Sequence, residues 1–83
     1  MYYVYIIFSE KLNKFYVGHT ADIQTRVELY HNQARSTFTS KGIPWKLEYA
    51  EPFQTRIDAM RREKEIKKLK SRRYIEMLIE QSR

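Results

Sequence analysis

From residue 2 the chain runs Tyr-Tyr-Val-Tyr-Ile-Ile-Phe with no charge and no breaker, then turns polar at Ser9. An unbroken run of β-branched and aromatic side chains predicts a strand over residues 2–8. Alternation places Tyr2, Val4, Ile6 and Phe8 on one face and Tyr3, Tyr5 and Ile7 on the other, so both faces read as buried or functional. The next stretch, Ser-Glu-Lys-Leu-Asn-Lys, is turn chemistry, and residues 15–18 resume the apolar run, which predicts an antiparallel hairpin. Pairing Tyr5 with Tyr16 leaves a four-residue loop, 9–12, and sets both phenols on one face.

Gly18 ends the second strand, and Thr20 or Asp22 can cap a helix reaching about residue 32. Ile23, Val27 and Tyr30 at i, i+4 and i+7 define its inward stripe, with Arg26 on the flank one turn before Tyr30. Residues 33–44 carry Ser, Thr, Gly and Pro and read as a loop. Alternation returns at 45–49 as a third strand, with Trp45, Leu47 and Tyr49 on one face and Trp45 anchoring the sheet. Thr55 is positioned to cap a helix from 56 to 69 or 70. A break near Ser71 then precedes a last helix over 73–80 with Ile75, Leu78 and Ile79 inward. The predicted fold is α+β in the order ββαβαα, a small three-stranded, mostly antiparallel sheet flanked by helices, in one domain over residues 1–83.

Composition narrows the chemistry. A chain of 83 residues buries only about 60% of its unfolded surface, so the core must be thin. Cysteine is absent, which excludes a disulfide framework, a thiol nucleophile and thiolate-bound zinc. The apolar run at 2–8 is too short to span a bilayer and lacks a signal peptide's basic flank, so a cytoplasmic protein without membrane contact is expected. The net charge is +6 and is unevenly placed: residues 55–83 hold ten Lys and Arg against five acids, residues 1–54 six against five. The basic stretch, with Arg61, Arg62, Lys67, Lys68, Lys70, Arg72 and Arg73, together with Lys41, is the candidate nucleic-acid surface.

One acid stands apart. Glu63 shares a helical stripe with Ala59 and Ile66, with Met60 beside it, whereas Glu65 faces the opposite side among lysines. Withdrawing a carboxylate from water is costly enough to require an arginine, a hydrogen-bond network or a metal, and a structural bridge to Arg26 is one solution.

These pieces together, Val4-Tyr5-Ile6, then Tyr16-Val17-Gly18, then Arg26 and then Glu63 within Ala59–Lys67, resemble the GIY-YIG nuclease superfamily over nearly the whole chain. The closest likeness is to its small single-domain members. The resemblance implies that Tyr5 and Tyr16 are the motif tyrosines, with the choice of water-activating base open between them. Arg26 would bind the scissile phosphate, and Glu63 would hold one Mg²⁺ or Mn²⁺ ion. The family histidine falls four residues after the arginine, where Tyr30 stands with His31 next to it, and both remain candidates. His19, just after the second triplet, stands where some relatives have lysine, and it reads equally as an exposed turn residue. The implied function is metal-dependent endonucleolytic hydrolysis of DNA, ahead of RNA, in repair or processing. The alternative is a nucleic-acid-binding module that keeps the fold and cuts little or nothing. Recruitment would come from the chain's own Lys and Arg or from a targeting partner protein, and a homodimer would allow both strands to be cut.

Overall fold

The computed structural model describes residues 1–33 and 38–83. Three antiparallel strands, β1 (Tyr2–Ser9), β2 (Lys14–Thr20) and β3 (Trp45–Phe53), form a sheet in the order β2-β1-β3. The strand in the middle is the one without a polar residue before its end, and that is why it can be covered on both faces. Val4, Ile6 and Ile7 are wholly buried and Tyr5 is 2% exposed.

Tyr5 lies opposite Gly18, and Ile7 opposite Tyr16, two residues away from the expected pairing. The loop occupies residues 10–13 instead of 9–12 because Ser9 stays in the ladder opposite Lys14. Its hydroxyl donates to the Gly42 carbonyl at 2.7 Å and accepts from Leu12 N–H at 3.1 Å, while Asn13 closes the loop with φ of 53°. A shift of two preserves the pleat, so both phenols still share a face. In β3 the alternation does fail. A bulge at Glu48 lets Ile6 face Tyr49 and Ile7 face Leu47, which turns Tyr49 to the face opposite Trp45.

Two helices cover one face of the sheet. Thr55 accepts from Asp58 N–H and caps α2 (Arg56–Leu69); Lys70, with φ of 48°, ends it; Ser71 accepts from Tyr74 N–H and caps α3 (Arg72–Gln81). Ala59, Ile66, Leu78 and Ile79 close on Val4, Ile6 and Val17.

The other face carries the segment between β2 and β3. Asp22 caps a single turn, α1 (Ile23–Thr25), and the chain then widens into a π-helical turn, Arg26–His31, in which Asn32 N–H donates to the Val27 carbonyl at 2.9 Å. The expected inward set of Ile23, Val27 and Tyr30 becomes Ile23, Val27 and His31. Asn32 fixes the end of the turn, because its carboxamide accepts from Trp45 N–H at 2.5 Å and donates to the Trp45 carbonyl at 3.0 Å. Val27 and Trp45 join Tyr5 and Ile7 in a second apolar cluster. The predicted loop holds a short 3-10 turn, Phe38–Gly42, whereas its residues 34–37 lie outside the described residues. No helix among the described residues is long and apolar enough to cross a membrane.

Candidate active site

The site forms along the free edge of β2. Gly18 has no side chain because the Tyr5 ring occupies the space: a Cβ there would stand 2.6 Å from Tyr5 Oη. The second motif's glycine is therefore steric, whereas Val4, which replaces the glycine of the first, fills the core on the other face. The Tyr5 hydroxyl lies 2.6 Å from His31 Nε2, and His31 is wholly buried with Nδ1 unpartnered among the described residues. Tyr16 packs edge-on against the same imidazole with centroids 4.8 Å apart, and 6.4 Å from the Tyr5 ring.

Arg26 lies over the half-exposed ring of Tyr30, 4.7 Å from its centroid, as the flank position predicted. Among the described residues its guanidinium meets no carboxylate, so a bridge to Arg26 is not the solution adopted for Glu63. Glu63 is instead held by His19 Nδ1 and by Lys67 Nζ, the latter at 2.5 Å. His19 is not an exposed turn residue, since it sits in β2 with its side chain 23% exposed. Tyr5, Tyr16, Arg26, Tyr30 and Glu63 line one cavity of about 880 Å³, and His31 stands behind its wall.

Burial sets the protonation states. It pushes the Tyr5 phenol up, the neighbouring Tyr16 adding to the shift, and it pushes Tyr16 up as well. Both remain neutral phenols at neutral pH. Burial, together with the Arg26 charge, lowers His31 to about 4, so its ring is neutral. At Glu63 burial pulls upward, but hydrogen bonds from Lys67 and His19 outweigh it and keep the carboxyl below its ordinary value and ionised.

Asp22, the other acid in the lining, turns its carboxylate to Thr25 at the start of α1, whereas Glu63 is the acid set on the α2 wall, where His19 and Lys67 engage it. Among the described residues no three His, Asp or Glu side chains converge as a cage. One ionised carboxylate fits the habit of Mg²⁺, which retains waters and takes substrate phosphate oxygens.

The predicted basic surface divides. Lys67, Lys70 and, two turns earlier, Arg56 share the Glu63 side of α2, and Arg56 lines the cavity. Its i−7 spacing from Glu63 was the signal for a residue the sequence reading missed. Arg61 and Lys68 project from the opposite side of α2. Arg62 is enclosed by Glu51, Glu65 and Tyr74, Arg72 grips Asn13, Arg73 is exposed on α3, and Lys41 is exposed on the 3-10 turn.

A model of the GIY-YIG catalytic domain matches residues 1–75. The chain belongs to the GIY-YIG family. Within that family it is similar to a UPF0213 protein of Staphylococcus haemolyticus, 33% identical over 95% of each chain. A UPF0213 protein of Halobacterium salinarum is 35% identical over 83% of this chain and 88% of its own. The solution NMR structure of a Bacillus halodurans UPF0213 protein matches with a TM-score of 0.59 at 32% identity, covering 96% of this chain and 84% of that one. Membership of GIY-YIG supports a nuclease-type function. The π-helical turn is what aims His31 at Tyr5 and leaves Tyr30 half-exposed on the cavity side.

Proposed function

We propose that the chain is a cytoplasmic, divalent-metal-dependent endonuclease, one catalytic domain over residues 1–83, that hydrolyses phosphodiester bonds of DNA in repair or processing. The carrying observation is the convergence on one cavity of two phenols, an ionised carboxylate and a guanidinium that meets no carboxylate among the described residues. Arg26 presents a planar cation to the nonbridging oxygens, where charge builds as the phosphate is attacked. Tyr5 takes a proton from the attacking water as its own proton passes to His31 Nε2, 2.6 Å away, and hydroxide adds to phosphorus in line with the leaving 3′ oxygen. A neutral imidazole can accept that proton; burial is the main cause that holds its pKa down, and phosphate charge beside Arg26 offsets the smaller contribution of the guanidinium. Tyr16, stacked against the imidazole edge, fixes the orientation of the pair. Glu63 would hold Mg²⁺ or Mn²⁺, which supplies Lewis-acid stabilisation of the leaving oxygen. For this Lys67 must release Oε2.

The engagement of Glu63 by both Lys67 and His19 favours one competing reading, a module that binds nucleic acid without cutting it. Incubation with supercoiled, branched and single-stranded DNA and with structured RNA, in Mg²⁺, Mn²⁺ or EDTA, separates the two. Metal-dependent cleavage supports the hydrolase; binding without cleavage under every condition supports the module. A single site cuts one strand at a time, so double-strand breaks would require a homodimer or a targeting partner that returns the site to the second strand.

A further inference from the structure

On the far side of Tyr16 from the cavity lies a groove of about 470 Å³ between β2 and the junction of α2 with α3. Its lining holds Lys14, Lys67, Lys70 and Arg72 and, among the described residues, no carboxylate. Other concavities differ. The catalytic cavity balances Arg26 and Arg56 against Asp22 and Glu63; a hollow by Leu47 has Asp22 and Glu28 with no cation; one by Trp45 pairs Lys11 and Lys46 with Glu10 and Glu48.

The groove is continuous with the site. Tyr16 lines both, and Lys67, in the groove, bonds Glu63 while standing 5.7 Å from the Tyr16 centroid. Arg72 is held rigidly on the groove wall: its guanidinium donates to the Asn13 carbonyl and side chain at 2.8 and 2.9 Å and lies 5.1 Å from the Phe15 centroid. Its nearest acid, Glu76, lies outside the lining. Lys67 and Arg72 each keep one acid, Glu63 and Glu76, at the margin of the groove, whereas Lys14 and Lys70 meet none among the described residues; four cations so placed suit a chain of phosphates, and a fixed, half-exposed guanidinium plane is a surface on which unpaired bases stack. A duplex, whose major groove alone is about 12 Å wide, is too broad to lie between a strand and a helix junction.

We propose that this groove holds a single-stranded continuation of the substrate, leading away from the bond at the Tyr5–Glu63 cavity past Tyr16 and Lys67 to Lys14, Lys70 and Arg72. The inference rests on the nuclease reading and names its substrate class as nucleic acid with a single-stranded arm beside the cut. Neither Lys14 nor Lys70 takes part in the chemistry.

The test is fluorescence anisotropy in EDTA with three probes: a 12-nucleotide single strand, a duplex with a flap and a blunt duplex of equal length. Lys14→Gln/Lys70→Asn removes two charges, and asparagine tolerates the left-handed backbone at position 70. Lys11→Gln/Lys46→Gln removes the same charge elsewhere, and equal thermal midpoints establish that both variants are folded. If the groove holds the strand, the first variant loses affinity for strand and flap by about 20-fold at 0.1 M salt, with a salt slope shallower by about 1.4. The blunt duplex and the second variant should change little. Equal losses for all three probes, or for both variants, overturn the proposal. A parallel Mg²⁺ cleavage assay separates the two failures. If the wild type cleaves while Lys14→Gln/Lys70→Asn still binds flap as tightly as it does, the groove falls and the hydrolase stands. If strand affinity is lost but the wild type cuts nothing, the groove stands and the hydrolase falls.

Discussion

Gly18 and His31 are the residues on which Tyr5 depends, one in front of its ring and one behind its hydroxyl. Gly18→Ala would drive a methyl into that buried ring, with a stability loss of about 1–3 kcal/mol in urea unfolding and a cleavage rate at least tenfold lower. Tyr5→Phe should lower cleavage about 100-fold without that steric cost. His31 supplies a pH signature. In the folded chain it takes up a proton only near pH 4, in the unfolded chain near 6.5. Between those values the unfolded chain binds the extra proton, so the His31 contribution to stability is flat above about pH 6.5 and falls as pH drops toward 4. The loss is at most about 3 kcal/mol, and the stability gap between wild type and His31→Gln should narrow over that window. A constant gap between pH 7 and pH 4.5 would remove the buried neutral imidazole from the account.

At the scale of elements, strands and helices were readable where one local signal sufficed. The apolar run at 2–8, the Thr55 cap and the Ser71 break each announced itself within a few residues, and α3 begins at Arg72, one residue before its predicted start. Signals that depend on a partner were not readable. Register moved by two because Ser9 bonds Gly42 across the fold, and Tyr49 changed face because of a bulge. Which of Tyr30 and His31 turns inward depends on the π-helical turn pinned by Asn32 on Trp45, a contact 13 residues away. If that turn absorbs one extra residue, deleting exposed Leu29 should restore ordinary helical spacing and keep the histidine against Tyr5. Such a variant should remain folded and cleave within about threefold of wild type, read in a single-turnover assay. Loss of folding would show that the π turn is required in itself.

Across the whole molecule, β2 brings together two helical segments that approach from opposite faces of the sheet: Arg26 and Tyr30 from one, Glu63 and Arg56 from the other. The motif residues could be listed from the sequence, but the engagement of Glu63 by His19 and Lys67 could not, because it depends on α2 crossing the β2 edge. The uneven charge was readable too, and the fold divides it, turning Lys67, Lys70 and Arg72 toward the groove and Arg61 and Lys68 away. The central claim is that Arg26 and Glu63 serve one phosphate from opposite walls. It is tested most directly by single-turnover nicking of supercoiled plasmid in Mg²⁺ by wild type, Arg26→Ala and Glu63→Ala. The account predicts nicking by the wild type, abolished by EDTA and reduced about 100-fold or more by either substitution. Nicking that survives both substitutions would contradict it.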